Sequence, residues 1–282
     1  PAEKDFLKLA KKGNLIPVYK EIFGDFETPV SAYLKVAKKS KYAILLESVE
    51  GGEKVCRYSF LAKDPELIFK CKGAKAEILR FLPSGIRVEN LAIAKTPLDE
   101  VKKIMSKYKF VEVKGLPKFC GGFVGYIGYD AVRFFENLPH QPKDDLKLAD
   151  ITLALVKDLI IFDHLNHKIK IVSCVEIAPN ASAKQKISAY NKAHARIDKA
   201  IASLEKRTPE AQPKETNRKL FYIKVSSNLT EKQFKQAVIS AKRHILTGDI
   251  IQVVLSQRFQ ANISTDPLNI YRALRTVNPS PY

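Results

Sequence analysis

Cysteine is scarce in this sequence, and its few copies form no recognisable pattern. The 282 residues include four cysteines, which lie far apart and form no C-x-x-C pair. Structural zinc sites draw on closely spaced cysteine pairs, and disulfide frameworks are typical of short secreted chains, so the spacing argues against both. Because free cysteine is among the most buried residue types, we expect free and mostly buried thiols. These are Cys56, Cys71, Cys120 and Cys174.

Long hydrophobic runs are also missing. No stretch approaches the roughly 18 consecutive apolar residues that predict a transmembrane helix. The amino-terminal segment PAEKDFLKLAKKGNL lacks the apolar centre of a secretory signal. The sequence therefore predicts no membrane partner, and the cytoplasm is the expected compartment.

Acidic residues are outnumbered by basic ones. The chain has 48 Lys and Arg against 30 Asp and Glu, which gives a net charge of +18. Such an excess can favour nucleic acid, but here it is spread along the whole chain as the solvated faces of amphipathic helices. No aromatic RNA-binding motif, zinc finger or helix-turn-helix pattern accompanies it. We therefore predict no nucleic-acid partner.

A phosphate-binding loop is absent as well. The stretch FCGGFVGYIGYD (119–130) is rich in glycine, yet it matches neither G-x-G-x-x-G nor G-x-x-x-x-G-K-[ST]. Its interleaved aromatic residues indicate a strand whose glycines let another backbone or ring approach closely.

A metal site is only weakly indicated. His164 and His167 stand beside Asp163 in FDHLNH, but no third, distant ligand can be assigned from spacing. A polar turn between two strands is the simpler interpretation of these residues.

The apolar periodicity predicts an α+β fold with antiparallel sheets and helices packed on them. Residues 41–89 are predicted as an antiparallel meander of short strands. Residues 150–175 are predicted as two buried strands joined by a tight turn at 165–167. Residues 182–205 keep a strict three-four apolar spacing, which is typical of a long amphipathic helix.

The chain is predicted to contain two domains. Residues 1–204 form the amino-terminal domain, and the polar, proline-containing segment 205–225 is a linker or exposed loop. Residues 226–282 begin a second domain, with a capped helix after Thr230, a long β run in IIQVVLSQRFQANI and a helix that begins near Asp266.

Four segments, in this order, carry a resemblance to a known family. They are LLESVEGGEKVCRYSF (45–60), KFCGGFVGYIGYDAVRFFENLP (118–139), LTGDIIQVVLSQRF (246–259) and YRALRTVNPSPY (271–282). Together they closely resemble component I of anthranilate synthase, a chorismate-using enzyme of tryptophan biosynthesis. The resemblance covers essentially the whole chain and implies the α/β/α-like sandwich of the chorismate-binding enzymes, with an incomplete second half.

Related families differ within QVVLSQRF. Aminodeoxychorismate synthase component I usually reads more like QVNLxQRF there, and the isochorismate and salicylate synthases carry a lysine at the position of Gln252. Gln252, Val254 and Ser256 therefore favour anthranilate synthase. The aminodeoxychorismate enzyme and a non-catalytic tryptophan-binding fragment remain the alternatives. The residues of this substrate-domain motif are Gln252, Ser256, Gln257 and Arg258.

The resemblance implies a reaction. Ammonia from a glutamine amidotransferase partner (component II) adds to chorismate, Mg²⁺ binds the substrate carboxylate, and pyruvate is eliminated to leave anthranilate. In the family, the metal ligands and the catalytic histidine lie in motifs that follow NPSPY. No such motif is present here, so catalytic residues and metal ligands are expected downstream of Tyr282, and this chain alone is expected to be inactive.

The resemblance also implies feedback inhibition by L-tryptophan at a site distinct from that of chorismate. Hydroxyl and carbonyl groups there can bind the ammonium group, and the faces of proline and tyrosine suit an indole. Carried over to this sequence, the tryptophan-binding residues are Glu47, Ser48, Arg57, Pro279, Ser280, Pro281 and Tyr282.

Overall fold

The computed structural model describes residues 1–47, 57–93, 96–139, 141–207, 223–279 and 282. Two compact units are present: one combines the described residues up to 207 with Pro279 and Tyr282, and the other comprises residues 223–278. Within these described ranges, no helix has the length and apolar character needed to cross a membrane.

The first unit contains two five-stranded sheets. Sheet A has the strand order β1-β10-β9-β3-β2, and sheet B has the order β6-β5-β4-β8-β7. All pairs between these strands are antiparallel, which confirms the predicted fold class. The strands are β1 (Leu15–Phe23), β2 (Ala43–Leu46), β3 (Tyr58–Lys63), β4 (Leu67–Lys72), β5 (Lys75–Leu82), β6 (Gly85–Ala92), β7 (Gly122–Ile127), β8 (Ile151–Val156), β9 (Asp158–Asp163) and β10 (Lys168–Glu176).

Helices cover one face of sheet A, and one further helix packs on sheet B. The second and fourth helices begin with capping boxes, in which Thr28 pairs with Ser31 and Ser182 with Gln185. Each box satisfies two backbone groups at a helix start, which fixes where the helix begins. The helices of this unit are α1 (Glu3–Leu9), α2 (Pro29–Val36), α3 (Pro97–Met105) and α4 (Ala183–Leu204), with a short 3₁₀ helix at Tyr129–Phe134.

The structure assigns the strands to the two sheets in a way that the sequence analysis did not predict. The segment 41–89 is not one meander, because β2 and β3 join sheet A whereas β4, β5 and β6 join sheet B. The prediction of one continuous strand in the first part of 150–175 is also wrong. This segment divides at Lys157 into β8 of sheet B and β9 of sheet A. The chain thus passes from sheet B to sheet A at Lys157. The ammonium group of this residue forms an ion pair with the Glu176 carboxylate at 2.5 Å.

Strand β1 was not predicted, and its proline explains why. Pro17 lies inside the strand and cannot donate a ladder hydrogen bond. Strand β1 is the edge of sheet A and pairs only with β10 within that sheet, so this missing donor is tolerated.

The core of sheet A is buried on both faces. Ile160 and Phe162 of β9 pack with the helices, whereas Leu159 and Ile161 pack on the opposite side with Cys120 and Val156. Burial on both faces explains the continuous apolar run LIIF in this strand.

Three thiols are free and buried, as predicted: Cys71 in the core of sheet B, and Cys120 and Cys174 in the core of sheet A. Burial, together with the nearby Asp150 carboxylate, raises the pKa of Cys71 to about 11. The Cys174 thiol donates a hydrogen bond to the Cys120 carbonyl at 3.1 Å. Cys56 lies outside the described residues.

The second unit has two helices and one two-stranded ribbon among its described residues. Helix α5 (Glu231–Leu246) begins at the predicted capping box of Thr230 and Gln233, and α6 (Pro267–Val277) is capped by Asp266. Strand β11 (Val225–Ser227) pairs with β12 (Phe259–Ala261). The long β run predicted around residues 250–263 is wrong except for β12, because a strand persists only where a partner accepts its ladder bonds, and β11 supplies three residues.

Candidate effector-binding site

A group of polar and aromatic side chains gathers where three strands of sheet A end. Glu47 follows β2, Arg57 precedes β3, and Asp163 is the last residue of β9. Strand β3 pairs with β2 on one side and with β9 on the other, and its register places Tyr58 opposite Asp163. The antiparallel pairing therefore brings residues more than 100 positions apart into one place, as the 106-residue separation of Arg57 and Asp163 shows.

Arg57 and Asp163 form a two-point ion pair at the centre of this group. The distances from Nε to Oδ1 and from Nη2 to Oδ2 are both 3.1 Å. Asp163 is only 1% exposed, and the Asn166 side-chain amide also donates to its Oδ2 at 2.9 Å. The pair is held to the strands by the backbone of His164, whose N–H donates to the Arg57 carbonyl at 2.9 Å.

The charges of this pair stabilise each other. Burial raises the pKa of Asp163, but the hydrogen bonds from Arg57 and Asn166 outweigh it, and the net effect lowers that pKa. The hydrogen bonds that Arg57 donates to Asp163 raise the pKa of Arg57. Asp163 therefore stays ionised at neutral pH.

Aromatic rings line the same place. The Arg57 guanidinium carbon lies 4.9 Å from the centre of the Tyr58 ring, within the range of a cation–π contact. The Tyr282 ring lies 6.0 Å from that of Phe60, which in turn meets the Phe119 ring edge-on at 5.3 Å.

Tyr282 is attached to this site by its backbone as well as by its hydroxyl. Its N–H donates to the Glu47 carbonyl at 3.1 Å, and its hydroxyl donates to the Tyr58 carbonyl at 3.0 Å. Glu47 itself is a buried carboxylate, 8% exposed. Of the residues that the sequence assigned to the tryptophan site, Glu47 and Tyr282 are therefore in direct contact, and Arg57 lies beside Tyr58, whose carbonyl accepts the Tyr282 hydroxyl.

His164 is a neighbour that the sequence analysis did not assign to this site. Its Nε2 lies 2.8 Å from the buried hydroxyl of Ser59, and its ring stacks at 17° on that of Phe162. Burial lowers the pKa of His164, although Glu47 and Asp163 oppose that shift. At neutral pH the imidazole is therefore uncharged.

The structure gives less information on the other residues that were predicted to bind tryptophan. Ser48, Ser280 and Pro281 lie outside the described residues, and Pro279 belongs to the first unit together with Tyr282. Asp163, Asn166, His164 and Ser59 were missed as site residues. The FDHLNH turn that carries three of them was visible in the sequence, but only as a weak metal motif.

The substrate-domain motif lies in the second unit. The Gln257 amide donates to the Ser227 hydroxyl at 2.8 Å, and the Arg258 N–H donates to the Asn228 side chain at 2.8 Å. Gln257 thus bonds to the last residue of β11, and Arg258 bonds to the residue that follows it. Gln252 and Ser256 are exposed.

The chemistry of the first-unit site suits one class of ligand. A buried carboxylate, a fixed guanidinium and several aromatic rings together can bind a small zwitterion that carries an aromatic group. Polar groups of opposite charge would orient the two ends of such a molecule, and the rings would bury its side chain.

Comparison with known proteins places the chain among the enzymes of chorismate chemistry. Residues 42–282 match the family model described as chorismate binding enzyme. The chain is 39% identical over 274 residues to anthranilate synthase component 1 of Acetivibrio thermocellus, which covers 97% of this chain and 54% of the relative. It is 37% identical over 281 residues to the Aquifex aeolicus protein of the same name, covering 98% of this chain and 53% of the relative.

A solved structure gives the same result. The crystal structure of anthranilate synthase component I from Streptococcus pneumoniae TIGR4 superposes with a TM-score of 0.61 at 26% identity, over 93% of this chain and 53% of that one. The chain therefore spans about half the length of the relatives that it matches.

Proposed function

Because the chain belongs to the family of chorismate binding enzymes, we propose that it acts as part of component I of anthranilate synthase. The proposed reaction joins ammonia to chorismate and releases anthranilate, pyruvate and water. The observation that carries this proposal is the 39% identity, over 97% of the chain, to a relative named for that activity. The motif QVVLSQRF supports anthranilate synthase over its aminodeoxychorismate counterpart.

The proposed reaction takes its ammonia from a glutamine amidotransferase partner and uses Mg²⁺. When bound, the cation would neutralise and orient a substrate carboxylate. Within the ranges that the structure describes, no three His, Cys, Asp or Glu side chains lie together as metal ligands. The described residues therefore do not fit a Mg²⁺ site, and the dependence on the cation is a proposal about groups outside them.

The role proposed for the described residues is regulation by L-tryptophan. Glu47 would bind the ammonium group, and Arg57 would bind the carboxylate. The rings of Tyr58, Phe60 and Tyr282 would pack against the indole. The proposal is supported by opposite charges and aromatic rings held in one site by antiparallel strands.

The activity is tested with the whole protein, supplied with chorismate, Mg²⁺ and an ammonium salt. We expect anthranilate to form, which is followed by its fluorescence, together with an equal amount of pyruvate. Formation of aminodeoxychorismate without pyruvate would instead establish the alternative enzyme. The chain of residues 1–282, assayed alone under the same conditions, is expected to give no product.

Glu47→Gln tests the ammonium contact. The amide keeps the shape of the side chain but loses the charge, so tryptophan binding should weaken by roughly tenfold or more, as expected for a lost hydrogen bond between charged groups. Calorimetric titration of the whole protein with L-tryptophan measures this. Glu77→Gln on β5, which removes a carboxylate from sheet B, serves as the control and should leave the affinity unchanged. Equal affinities in the wild type and the Glu47 variant would count against the assignment.

A further inference from the structure

The Arg57 guanidinium is held on two sides and keeps one edge for a ligand. Asp163 occupies the edge formed by Nε and Nη2, and the Tyr58 ring covers a face. Among the residues that the structure describes, Nη1 has no hydrogen-bond partner. A guanidinium has five N–H donors in a rigid plane, and the pairing with Asp163 uses two of them. Of the three that remain, one on Nη1 and one on Nη2 are parallel and form the opposite edge.

Two parallel N–H donors match the two oxygens of a second carboxylate. The remaining edge is therefore a receptor for a carboxylate whose orientation is set by the position of Asp163. Arg57 is about one-third exposed, with a side-chain exposure of 35%, so a ligand can reach it.

Asp163 is itself fixed by its surroundings. The Asn166 side-chain amide donates to Oδ2 at 2.9 Å, and the Asn166 N–H donates to Oδ1 at 3.3 Å. Each oxygen of Asp163 thus accepts one bond from Arg57 and one from Asn166. Because the buried Asp163 carboxylate accepts all four of these hydrogen bonds, it has one stable orientation.

We propose that Asp163 and Asn166 are positioning residues that orient Arg57 for the α-carboxylate of the amino-acid effector. This inference rests on the proposed regulation by tryptophan and identifies which side chains make that site selective for a free carboxylate. Asp163 does not contact the ligand, because its oxygens are occupied by Arg57 and Asn166. Its whole effect on binding therefore passes through Arg57.

The test is a double-mutant cycle in the whole protein, with the dissociation constant of L-tryptophan measured by calorimetric titration. Asp163→Asn should weaken binding by about tenfold, and Arg57→Ala by at least as much. The double variant should bind no more weakly than Arg57→Ala alone, since Asp163 has nothing left to orient. Glu89→Gln removes the carboxylate partner of Arg80 elsewhere in the first unit and should change nothing.

A merely structural role for Asp163 predicts a different result. The losses from the two single variants would then add in the double variant, and the KM for chorismate would change along with tryptophan affinity; either result overturns the inference. If Asp163→Asn does not fold, Asn166→Ala replaces it in the same cycle, with a smaller loss that should vanish in the Arg57→Ala background.

The outcome also separates this inference from the function on which it rests. A wild-type protein that binds no tryptophan overturns the proposed regulation and this inference together. Tryptophan binding that is normal in the wild type and unaffected by Asp163→Asn overturns this inference alone.

Discussion

Gly125→Ala is expected to lower the free energy of unfolding by about 3 kcal/mol or more, the upper part of the range for overpacking. A Cβ at Gly125 would lie 1.9 Å from the backbone oxygen of Thr152 on the neighbouring strand β8. Backbone atoms of a paired strand cannot move aside as a flexible side chain can, so β7 must separate from β8. Thermal unfolding should show a midpoint lower by about 6–12 °C for a unit of this size.

Gly73→Ala is the matched control for this prediction. Gly73 has a φ of +52°, and an added Cβ there meets no atom within 4 Å. The control carries only the cost of a left-handed conformation, about 1–2 kcal/mol. A Gly125 variant as stable as the Gly73 variant would show that β7 and β8 do not pack as closely as described.

Phe69→Ala is expected to lower the free energy of unfolding by about 3–5 kcal/mol, the range for removing a buried phenylalanine. Phe69 is completely buried on β4, the central strand of sheet B, where it pairs with Leu153 and Ile78. Its removal leaves a cavity among side chains that both neighbouring strands hold in place. Urea unfolding, with the slope of the transition compared between variants, measures the change.

Two further variants separate cavity formation from loss of an aromatic residue. Phe26→Ala alters a phenylalanine that is 99% exposed, and it should change stability by no more than about 0.5 kcal/mol. Phe69→Leu retains most of the buried volume and should cost less than about 1.5 kcal/mol. A similar loss for Phe69→Ala and Phe26→Ala would contradict the position of Phe69 in the core.

Local structure could be predicted from the sequence because its causes are local. The apolar spacing predicted α4, the capping residue Thr230 predicted the start of α5, and the glycine-aromatic pattern predicted that another backbone approaches β7 closely. The choice of sheet for each strand could not be predicted. It depends on partners distant in the chain, as in the pairing of β1 with β10. Periodicity within one strand carries no information about such a partner.

In the candidate site, too, some residues could be predicted from the sequence and others could not. Glu47, Arg57 and Tyr282 were assigned through motifs that resemble a family. In the structure Tyr282 bonds to the carbonyls of Glu47 and Tyr58, and Arg57 lies over the Tyr58 ring. Asp163 and Asn166 could not be assigned, because polar residues in a turn between strands are ordinary. Only the register that sets Tyr58 opposite Asp163 gives them a role beside Arg57.

The three buried thiols provide chemical reporters for the two sheets. Alkylating reagents must reach the sulfur atom, and burial keeps all three thiols out of reach in the folded state. Reaction at Cys71 therefore requires sheet B to open, and reaction at Cys120 or Cys174 requires sheet A to open. The order in which the three positions acquire label during slow denaturation records which half of the first unit loses its structure first.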